Sequence, residues 1–450
     1  MKSGRVLLIN PPSEPGTTAN REGSAGLGNV YPYEGAFLYP PHTLATVVAV
    51  LRQEGWALEL IDAVVEGLDA KALADYASRE GFQIIGVFVS HATLDVDIGM
   101  LRRLRRACTD AYIIAFGPAM RFVGSEVLEQ GEATTVLVGE PESLFPAACR
   151  CLAGGDSLSS LLRAPDLSVV GCDVDGWILD LDAVPYPAWD LLPWRKYRFL
   201  SIMGSRGCDD LCAYCPYVAA QGHRFRPRSA SSVVAELSWL VERYAPRRVV
   251  FRDPVFARDR QRVLDICAEI RERPELGAGS RFTWECESRP EHFDADLLRQ
   301  MKEAGCGWIK IGLETTGEEV LRRMNRLRPD ETREEYVAQT AEVVRACREA
   351  GIRCRVFAMV GLPGQGDSAV ADTLVQLRRM SPMALGVKAL EHYPGARWEQ
   401  EISPADEESV QRQMIPFLEL KEELEQAGAS PRRGRLVTLL SRLKRRWKQA

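Results

Sequence analysis

Three cysteines stand close together near the middle of the chain, at a spacing typical of a metal-binding loop. Cys208, Cys212 and Cys215 form a C-x3-C-x2-C run. Thiolates suit iron–sulfur clusters, and most such clusters take four protein ligands. A 4Fe-4S cube held by only three thiolates leaves one iron open to a chelating molecule from outside the protein. The spacing therefore predicts a cluster at which chemistry takes place.

Zinc is the main alternative for this loop. A closed zinc site needs four ligands. No second cysteine pair follows, and His223 is the only nearby substitute. The other nine cysteines of the chain stand in helical, strand-like or isolated positions. We interpret them as small buried apolar side chains.

The cysteine loop follows the first strand of a repeating strand–helix pattern over residues 199–394. Strands are predicted at residues 199–203, 248–252, 282–285, 308–312, 355–360 and 385–389. Six such steps predict a partial (β/α)6 barrel. Barrel active sites lie at the carboxyl ends of the strands, so the residues directly after each strand become candidates for function.

An earlier strand–helix pattern over residues 1–152 predicts a Rossmann-like, doubly wound parallel sheet. Its strands are predicted at residues 6–10, 58–62, 84–90, 112–116 and 135–138. The connection over residues 11–41 is too long for a simple turn, and we expect it over the ligand edge of the sheet. Residues 153–198 are interpreted as a linker, and residues 395–450 as a helical C-terminal extension. The fold class is therefore α/β.

The cysteine loop, with the aromatic Tyr214 directly before its last cysteine, resembles the signature of the radical S-adenosylmethionine (SAM) superfamily. In that family the amino and carboxylate groups of SAM chelate the open iron. The resemblance implies further SAM contacts at Tyr214, Asp253, Ser288, Arg289, Glu314, Gly361 and Pro363. Two of these positions could instead have a purely structural role: Asp253 as a helix cap, and Gly361 to Gly364 as a tight strand-to-helix turn. Gln365 stands where similar proteins often carry an acidic residue.

The N-terminal pattern resembles the cobalamin-binding domain that precedes many radical SAM domains. The resemblance implies cobalamin contacts at strand ends and the loops after them, namely Asn10, Pro11, Ser90, Thr93, Gly117, Pro118, Gly139 and Glu140. No D-x-H-x-x-G motif is present, so the implied cobalamin has no histidine ligand. A vestigial scaffold that binds no corrinoid is the alternative.

Taken together, the resemblance implies an enzyme that cleaves SAM to a 5'-deoxyadenosyl radical at the cluster of Cys208, Cys212 and Cys215. Cobalamin-dependent methyl transfer to an unactivated carbon, or to phosphorus, of a small metabolite is the favoured reaction. An external low-potential electron donor of the flavodoxin or ferredoxin type is expected. The alternatives are a radical cyclisation or rearrangement without methylation, a non-catalytic corrinoid- or metal-binding module and, less favoured, a methylthiotransferase.

Composition limits the partners. A net charge of −5 and a pI near 5.8 give no general attraction for nucleic acid. Apolar runs fall short of the ~20 residues that span a bilayer, and no secretory signal is apparent, so we expect a cytoplasmic protein. Residues 431–450 carry eight basic and no acidic residues. This tail could form a basic amphipathic helix that contacts anionic membranes. The favoured alternative is a terminal helix packed on the barrel with its charges in water, or a frayed tail.

Overall fold

The computed structural model describes residues 4–34, 36–154, 176–277, 281–399 and 407–428. It divides into two compact units. The first comprises Met1–Cys286 with His392–Gln400, and the second comprises Glu287–Glu391 with Glu401–Ala450. The division falls inside the region predicted as one barrel. The domain limits at residues 152, 198 and 394 therefore stay predictions.

A five-stranded parallel sheet forms the start of the first unit, with the strand order β4-β1-β5-β6-β7. Its strands are β1 (Arg5–Asn10), β4 (Ala57–Asp62), β5 (Ile84–Phe88), β6 (Tyr112–Phe116) and β7 (Thr135–Leu137). The predicted doubly wound sheet is thus confirmed. The direction of winding reverses between β1 and β5, and sheets of this kind bind ligands beyond the carboxyl ends of the strands at such a point.

Six helices accompany this sheet. They are α1 (His42–Gln53), α2 (Ala63–Glu66), α3 (Ala70–Glu80), α4 (Leu94–Ala107), α5 (Met120–Glu129) and α6 (Pro141–Gly154). Helix α5 was not predicted, because its central Gly124 weakens the helical signal. Close packing explains why glycine stands here, because a Cβ at position 124 would lie only 3.1 Å from Cγ2 of Val136 on β7.

The long connection after β1 is fastened to the sheet by a buried ion pair. It contains an antiparallel hairpin of β2 (Thr18–Asn20) and β3 (Asn29–Tyr31). Directly after β2, the guanidinium of Arg21 lies 2.7 Å from the Asp97 carboxylate, and both side chains are almost fully buried. Arg21 also donates hydrogen bonds to the carbonyl oxygens of Pro11 and Pro12, at 2.6 and 3.0 Å. The connection therefore lies against the carboxyl end of β1.

The rest of the first unit begins a second parallel set of strands. In it β11 (Arg248–Phe251) pairs with β8 (Leu200–Ile202) on one side and β12 (Thr283–Ser288) on the other. A short antiparallel hairpin, β9 (Ser205–Arg206) with β10 (Arg226–Pro227), follows β8. The helices are α7 (Pro216–Gln221), α8 (Ala230–Tyr244) and α9 (Arg260–Glu272).

The second unit continues the strand–helix repeat. Its strands β13 (Cys306–Glu314), β14 (Arg353–Val360) and β15 (Ala384–Ala389) pair in parallel, in that order. Its helices are α10 (Ala295–Glu303), α11 (Glu318–Arg323), α12 (Arg333–Ala350), α13 (Asp367–Met380) and α14 (Glu407–Gly428). The α/β prediction is confirmed, each of the six predicted strand steps being present.

The C-terminal extension is helical over α14. The basic tail at residues 431–450 lies outside the described residues. Within the described ranges, none of the helices combines the length and the apolar composition that crossing a membrane requires.

The Arg21–Asp97 pair generates a first prediction. Asp97→Ala leaves a buried guanidinium without its counter-charge, and we expect the free energy of unfolding to fall by about 3–5 kcal/mol in urea titration. Asp75→Ala breaks the exposed Lys71–Asp75 pair on α3 and serves as the control, with little expected change. Equal losses in the two variants would contradict a structural role for the buried pair.

Candidate active site

The cysteine loop leaves the first strand of the β9–β10 hairpin and ends at α7. Cys208 is buried, whereas Cys212 and Cys215 are partly exposed. The amide of Cys208 donates to the carbonyl of Gly222 at 3.2 Å, and that of Cys215 donates to the carbonyl of Cys212 at 3.1 Å. Gly207 has φ +74°, and a side chain there would overlap the carbonyl of Arg224. Only glycine fits at this entry to the loop.

The donor set of the loop fits an iron–sulfur cluster. Burial raises the pKa of the Cys208 thiol, and the neighbouring carboxylate of Asp210 raises it further. A cation bound to the sulfur acts in the opposite direction and stabilises the thiolate. Across the described ranges, no three His, Cys, Asp or Glu side chains are already arranged as metal ligands. The fit to a cluster therefore depends on three thiols in one short loop. Asp209 of this loop forms an ion pair with Arg258, at 2.7 Å.

Two carboxylates and two guanidiniums form a buried cluster beside this loop, which we call the four-charge cluster: Glu140, Glu142, Arg206 and Arg226. Arg226 binds both carboxylate oxygens of Glu140, each at 2.9 Å. Arg206 lies 3.2 Å from Glu140 and 2.8 Å from Glu142. All four side chains are at most 7% exposed.

The four-charge cluster joins two parts of the first unit. The two glutamates follow β7 of the five-stranded sheet, and the two arginines stand opposite each other on β9 and β10. Burial by itself would raise the pKa of Glu140, but the guanidiniums of Arg206 and Arg226 outweigh it and hold this pKa below its usual value. The pKa of Arg206 is raised, because the two carboxylates outweigh the effect of its burial. The loop after β7 is thereby tied to the hairpin that carries the cysteines.

A cavity beside the four-charge cluster is lined from both sides. The residues around β1 to β7 contribute Glu22, Ala25, Gly26, Thr43, Phe88, Pro118, Gly139, Glu140, Pro141 and Glu142. The residues from β8 onward contribute Met203, Arg206, Tyr217, Ala220, Gln221 and Arg252. Three of the positions predicted for cobalamin, namely Pro118, Gly139 and Glu140, thus face the same space as residues that flank the cysteine loop.

The other predicted cobalamin positions are engaged elsewhere in the first unit. Asn10 donates to Asp62 at 2.8 Å. Ser90, through its amide, and Thr93, through its hydroxyl, donate to the Asp97 carboxylate at 3.0 and 2.6 Å. Pro11 accepts from Arg21, and Gly117, at φ +127°, passes so close to the carbonyl of Val89 that a side chain would overlap it. These residues shape the edge of the sheet around the cavity, and their contact with cobalamin stays a prediction.

Asp253 supports the turn that leads into the cysteine loop. Its fully buried carboxylate accepts the amide of Gly204 at 2.8 Å and the hydroxyl of Ser205 at 2.7 Å. Burial raises its pKa, and Arg262 opposes that shift. The alternative of a helix cap is wrong, because Asp259 caps the following helix, α9, instead. A contact of Asp253 with SAM stays a prediction.

In the second unit, Glu314 ends β13 in a strained conformation. Its φ is +62°, and the pairing with β14 shifts register between Gly312 and Glu314. A side chain at position 312 would overlap the Glu314 carboxylate. A non-glycine residue in this region costs about 1–3 kcal/mol, and such strain concentrates at functional sites. The geometry thus agrees with a functional Glu314.

The remaining second-unit candidates lie near strand ends. Arg289 donates to the carbonyl of Arg326 at 2.7 Å, and Arg326 in turn donates to the carbonyl of Gly312. Arg326, which no sequence motif marked, therefore connects Arg289 to the backbone of β13 two residues before Glu314. Ser288 is hydrogen-bonded to His292 at 3.0 Å.

The Gly361 to Gly364 segment is a strand-to-helix turn with positive φ at both glycines, +72° and +81°. The structure shows why Gln365 stands where similar proteins often carry an acidic residue. Its side-chain amide donates to the carbonyl of Met359 at 3.0 Å and accepts the amide of Leu362 at 3.3 Å. A carboxylate accepts but does not donate.

Comparison with known proteins agrees with this geometry. Residues 202–377 match the model of the Radical SAM superfamily. An uncharacterized methyltransferase of Pyrococcus horikoshii is 24% identical over 90% of this chain and 84% of its own length.

Two solved structures share the fold over most of the chain. The radical SAM methyltransferase TsrM from Kitasatospora setae, solved with cobalamin and a 4Fe-4S cluster, superposes with a TM-score of 0.71 at 19% identity, over 89% of this chain and 74% of TsrM. The cobalamin-dependent SAM radical enzyme OxsB, solved with aqua-cobalamin, gives 0.64 at 18% identity, over 94% of this chain and 56% of OxsB. The cysteine loop lies inside the region that matches the Radical SAM superfamily, and a radical SAM domain implies a 4Fe-4S cluster and SAM.

Proposed function

We propose that this enzyme transfers a methyl group to an unactivated carbon, or to phosphorus, of a small metabolite in a cobalamin-dependent radical SAM reaction. The observation that carries the proposal is the cavity of the first unit. It is lined by Pro118 and Gly139 from the N-terminal sheet and by Met203 and Arg206 from the approach to the cysteine loop. The methyltransferase names of the Pyrococcus relative and of TsrM support the same reaction.

Cys208, Cys212 and Cys215 are proposed to hold the cluster. When bound, a reduced 4Fe-4S cluster supplies an electron at a potential as low as about −700 mV, which suits the reductive cleavage of SAM. The chain contributes position and shielding. Arg258 forms an ion pair with Asp209 of the loop, the β9–β10 hairpin stands at the base of the loop, and burial of Cys208 keeps water from that sulfur.

The loops around the N-terminal sheet are proposed to bind cobalamin, which would supply the methyl carrier. Gly117 and Gly139 have φ +127° and +140°. The place of a side chain is taken by the Val89 carbonyl at Gly117, and by Gly176 and Leu144 at Gly139. Only glycine therefore gives the loops after β6 and β7 this shape. Among the described residues lining the cavity there is no histidine. His42 is buried beside Ser201, and burial together with three nearby arginines holds its pKa well below the usual value.

The SAM contacts are proposed on the residues implied by the family: Tyr214, Asp253, Ser288, Arg289, Glu314, Gly361 and Pro363. The arginine suits a carboxylate and the acid suits an ammonium or a ribose hydroxyl. We also propose a small-molecule substrate, a flavodoxin- or ferredoxin-type electron donor and a cytoplasmic location.

The reaction is tested by mass spectrometry. Reduced, cofactor-loaded enzyme is incubated with candidate substrates and SAM that carries a trideuteromethyl group. Methyl transfer predicts a product heavier by that group, together with 5'-deoxyadenosine. A product that is rearranged or cyclised without the label would replace the proposal by the alternative reaction.

Replacing Cys208, Cys212 and Cys215 together by Ala should abolish the cluster, because the proposed donor set is then gone. Iron content and the brown cluster absorbance after anaerobic reconstitution measure this. The control replaces Cys108, Cys149 and Cys151, which lie outside the loop, by Ala and should keep the iron. Iron retained by the first variant would overturn the ligand assignment.

Glu140→Gln should destabilise the first unit, because it leaves Arg206 and Arg226 short of one buried negative charge. We expect a loss of about 3–5 kcal/mol at pH 7, by urea titration. Folding lowers the pKa of Glu140, so its charge contributes fully to the free energy of unfolding at pH values above the pKa of an unfolded glutamate, ~4.3. This contribution is lost as the pH falls through the lower pKa that Glu140 has in the folded protein.

The difference between wild type and Glu140→Gln should therefore shrink in acid. Glu129→Gln, at an exposed position of α5, is the control and should leave stability nearly unchanged. A Glu140→Gln difference that stays constant down to the acid limit of folding would show that the charge of Glu140 is not what stabilises the cluster.

Cobalamin bound to the first unit should have no histidine ligand. Electron paramagnetic resonance of protein-bound cob(II)alamin is expected to lack the superhyperfine splitting of an axial nitrogen, whereas free base-on cob(II)alamin, the reference, shows it. An axial-nitrogen splitting in the protein would refute the prediction. Absence of corrinoid binding would favour the vestigial scaffold.

A further inference from the structure

One buried arginine at the cavity of the first unit has few partners in the protein. Arg252 directly follows β11 and is only 9% exposed. Its Nη2 group donates to the backbone carbonyl of Glu22, and its guanidinium carbon lies 5.1 Å from the centre of the Tyr39 ring. The Nη1 group is buried and has no hydrogen-bond partner. Among the described residues, no carboxylate forms an ion pair with Arg252.

Arg252 lines the cavity beside the four-charge cluster, as do Glu22 and Thr43. A guanidinium has five N–H donors. The part of the chain that the structure describes offers this one a single hydrogen-bond acceptor, the carbonyl of Glu22. A buried, charged donor without an acceptor lowers stability, and such a group in a native structure calls for a partner. A ligand in the cavity that supplies an acceptor would complete this wall.

The charge of Arg252 is balanced, although its donors are not. The carboxylate of Glu22 is buried and accepts the amide and the hydroxyl of Thr43, at 2.9 and 3.3 Å. Burial raises the pKa of Glu22, and the positive charge of Arg252 opposes that shift. The two opposite charges therefore offset each other, although their charged groups form no ion pair.

The other charged side chains that line the cavity belong to the four-charge cluster: Glu140, Glu142 and Arg206. With Glu22 and Arg252, the lining carries three carboxylates and two guanidiniums. This excess of negative charge repels an anionic ligand. The cavity wall therefore favours a neutral ligand group that accepts a hydrogen bond from Arg252.

A carboxamide is a neutral group that matches this wall. Its oxygen accepts a hydrogen bond and its NH2 group donates two, so it can pair with the guanidinium of Arg252 and with the carboxylate of Glu22 at once. The cavity has a volume of about 50 Å³, several times the ~10–15 Å³ that one water molecule needs. This is room for a carboxamide arm of a few atoms, not for a complete corrin ring.

We propose that Arg252 and Glu22 bind a carboxamide arm at the rim of the corrin ring of cobalamin. This inference rests on the proposed function, since it names two contacts of the proposed cofactor. The corrin ring of cobalamin carries such arms around its rim. The cavity is also lined by Pro118 and Gly139 from the N-terminal sheet, whereas Arg252 follows a strand that pairs with β8, which precedes the hairpin of the cysteine loop. Arg252 thus holds the cofactor from the part of the first unit that carries that loop.

The test measures corrinoid binding without turnover, on full-length enzyme that carries its cluster and is prepared without cobalamin. Absorbance titration gives the Kd of hydroxocobalamin and of cobinamide, which keeps the amide arms but lacks the nucleotide and its phosphate. Arg252→Met removes every donor of the side chain and should weaken both corrinoids by about tenfold or more. Arg252→Lys keeps the charge but not the planar fork of donors, and should weaken both by about threefold.

Arg248→Met is the matched control. Arg248 lies on the strand that Arg252 follows, forms an ion pair with Glu285 at 3.3 Å and is not among the residues that line the cavity. Its replacement should leave both affinities nearly unchanged. Iron content and far-UV circular dichroism show that each variant is folded and carries its cluster.

Wild-type affinity in the folded Arg252 variants, or an equal loss in Arg248→Met, would overturn the proposal. A loss for hydroxocobalamin alone would assign Arg252 to the nucleotide phosphate, and the carboxamide contact would be wrong. Failure of the proposed function shows differently. Wild type that binds neither corrinoid would refute cobalamin dependence and this inference together, whereas a product without the methyl label leaves the binding results unaffected.

Discussion

The four-charge cluster is the interaction on which the active-site region depends. Removing two carboxylates and two guanidiniums from water costs several kcal/mol per ion, and only close, multiple pairing offsets it. Here Arg226 donates hydrogen bonds to both carboxylate oxygens of Glu140, and Arg206 forms ion pairs with both Glu140 and Glu142. Because the acids follow the first sheet and the bases carry the cysteine loop, the balance of charge fixes one against the other.

This arrangement explains why the first unit includes strands from both strand–helix patterns. The cavity beside the four-charge cluster is lined by Gly139 on one side and by Arg206, at the start of the cysteine loop, on the other. A cofactor held at the sheet edge and a cluster held by the loop would then border the same space. Asp253 contributes by holding the turn before that loop.

Much of this could be predicted from the sequence, because it is local. Apolar runs between helical patterns located every strand of both parallel sets, and cysteine spacing located the loop. Pairings between distant residues could not be predicted. Glu140 and Arg226 are 86 positions apart, and nothing in either segment names its partner. Helix α5 was missed because Gly124 trades helical propensity for close packing on Val136. The reason for an amide at Gln365 also needs the structure, in which its side chain donates to the carbonyl of Met359 and accepts the amide of Leu362.

If the cluster and cobalamin border one cavity of the first unit, as proposed, their paramagnetic forms must interact. Electron paramagnetic resonance of enzyme that carries both cob(II)alamin and the one-electron-reduced cluster measures this interaction. Magnetic coupling should broaden or split both signals relative to samples that hold only one paramagnet. A spectrum equal to the sum of the two separate spectra, with both cofactors shown to be bound, would rule out a shared cavity.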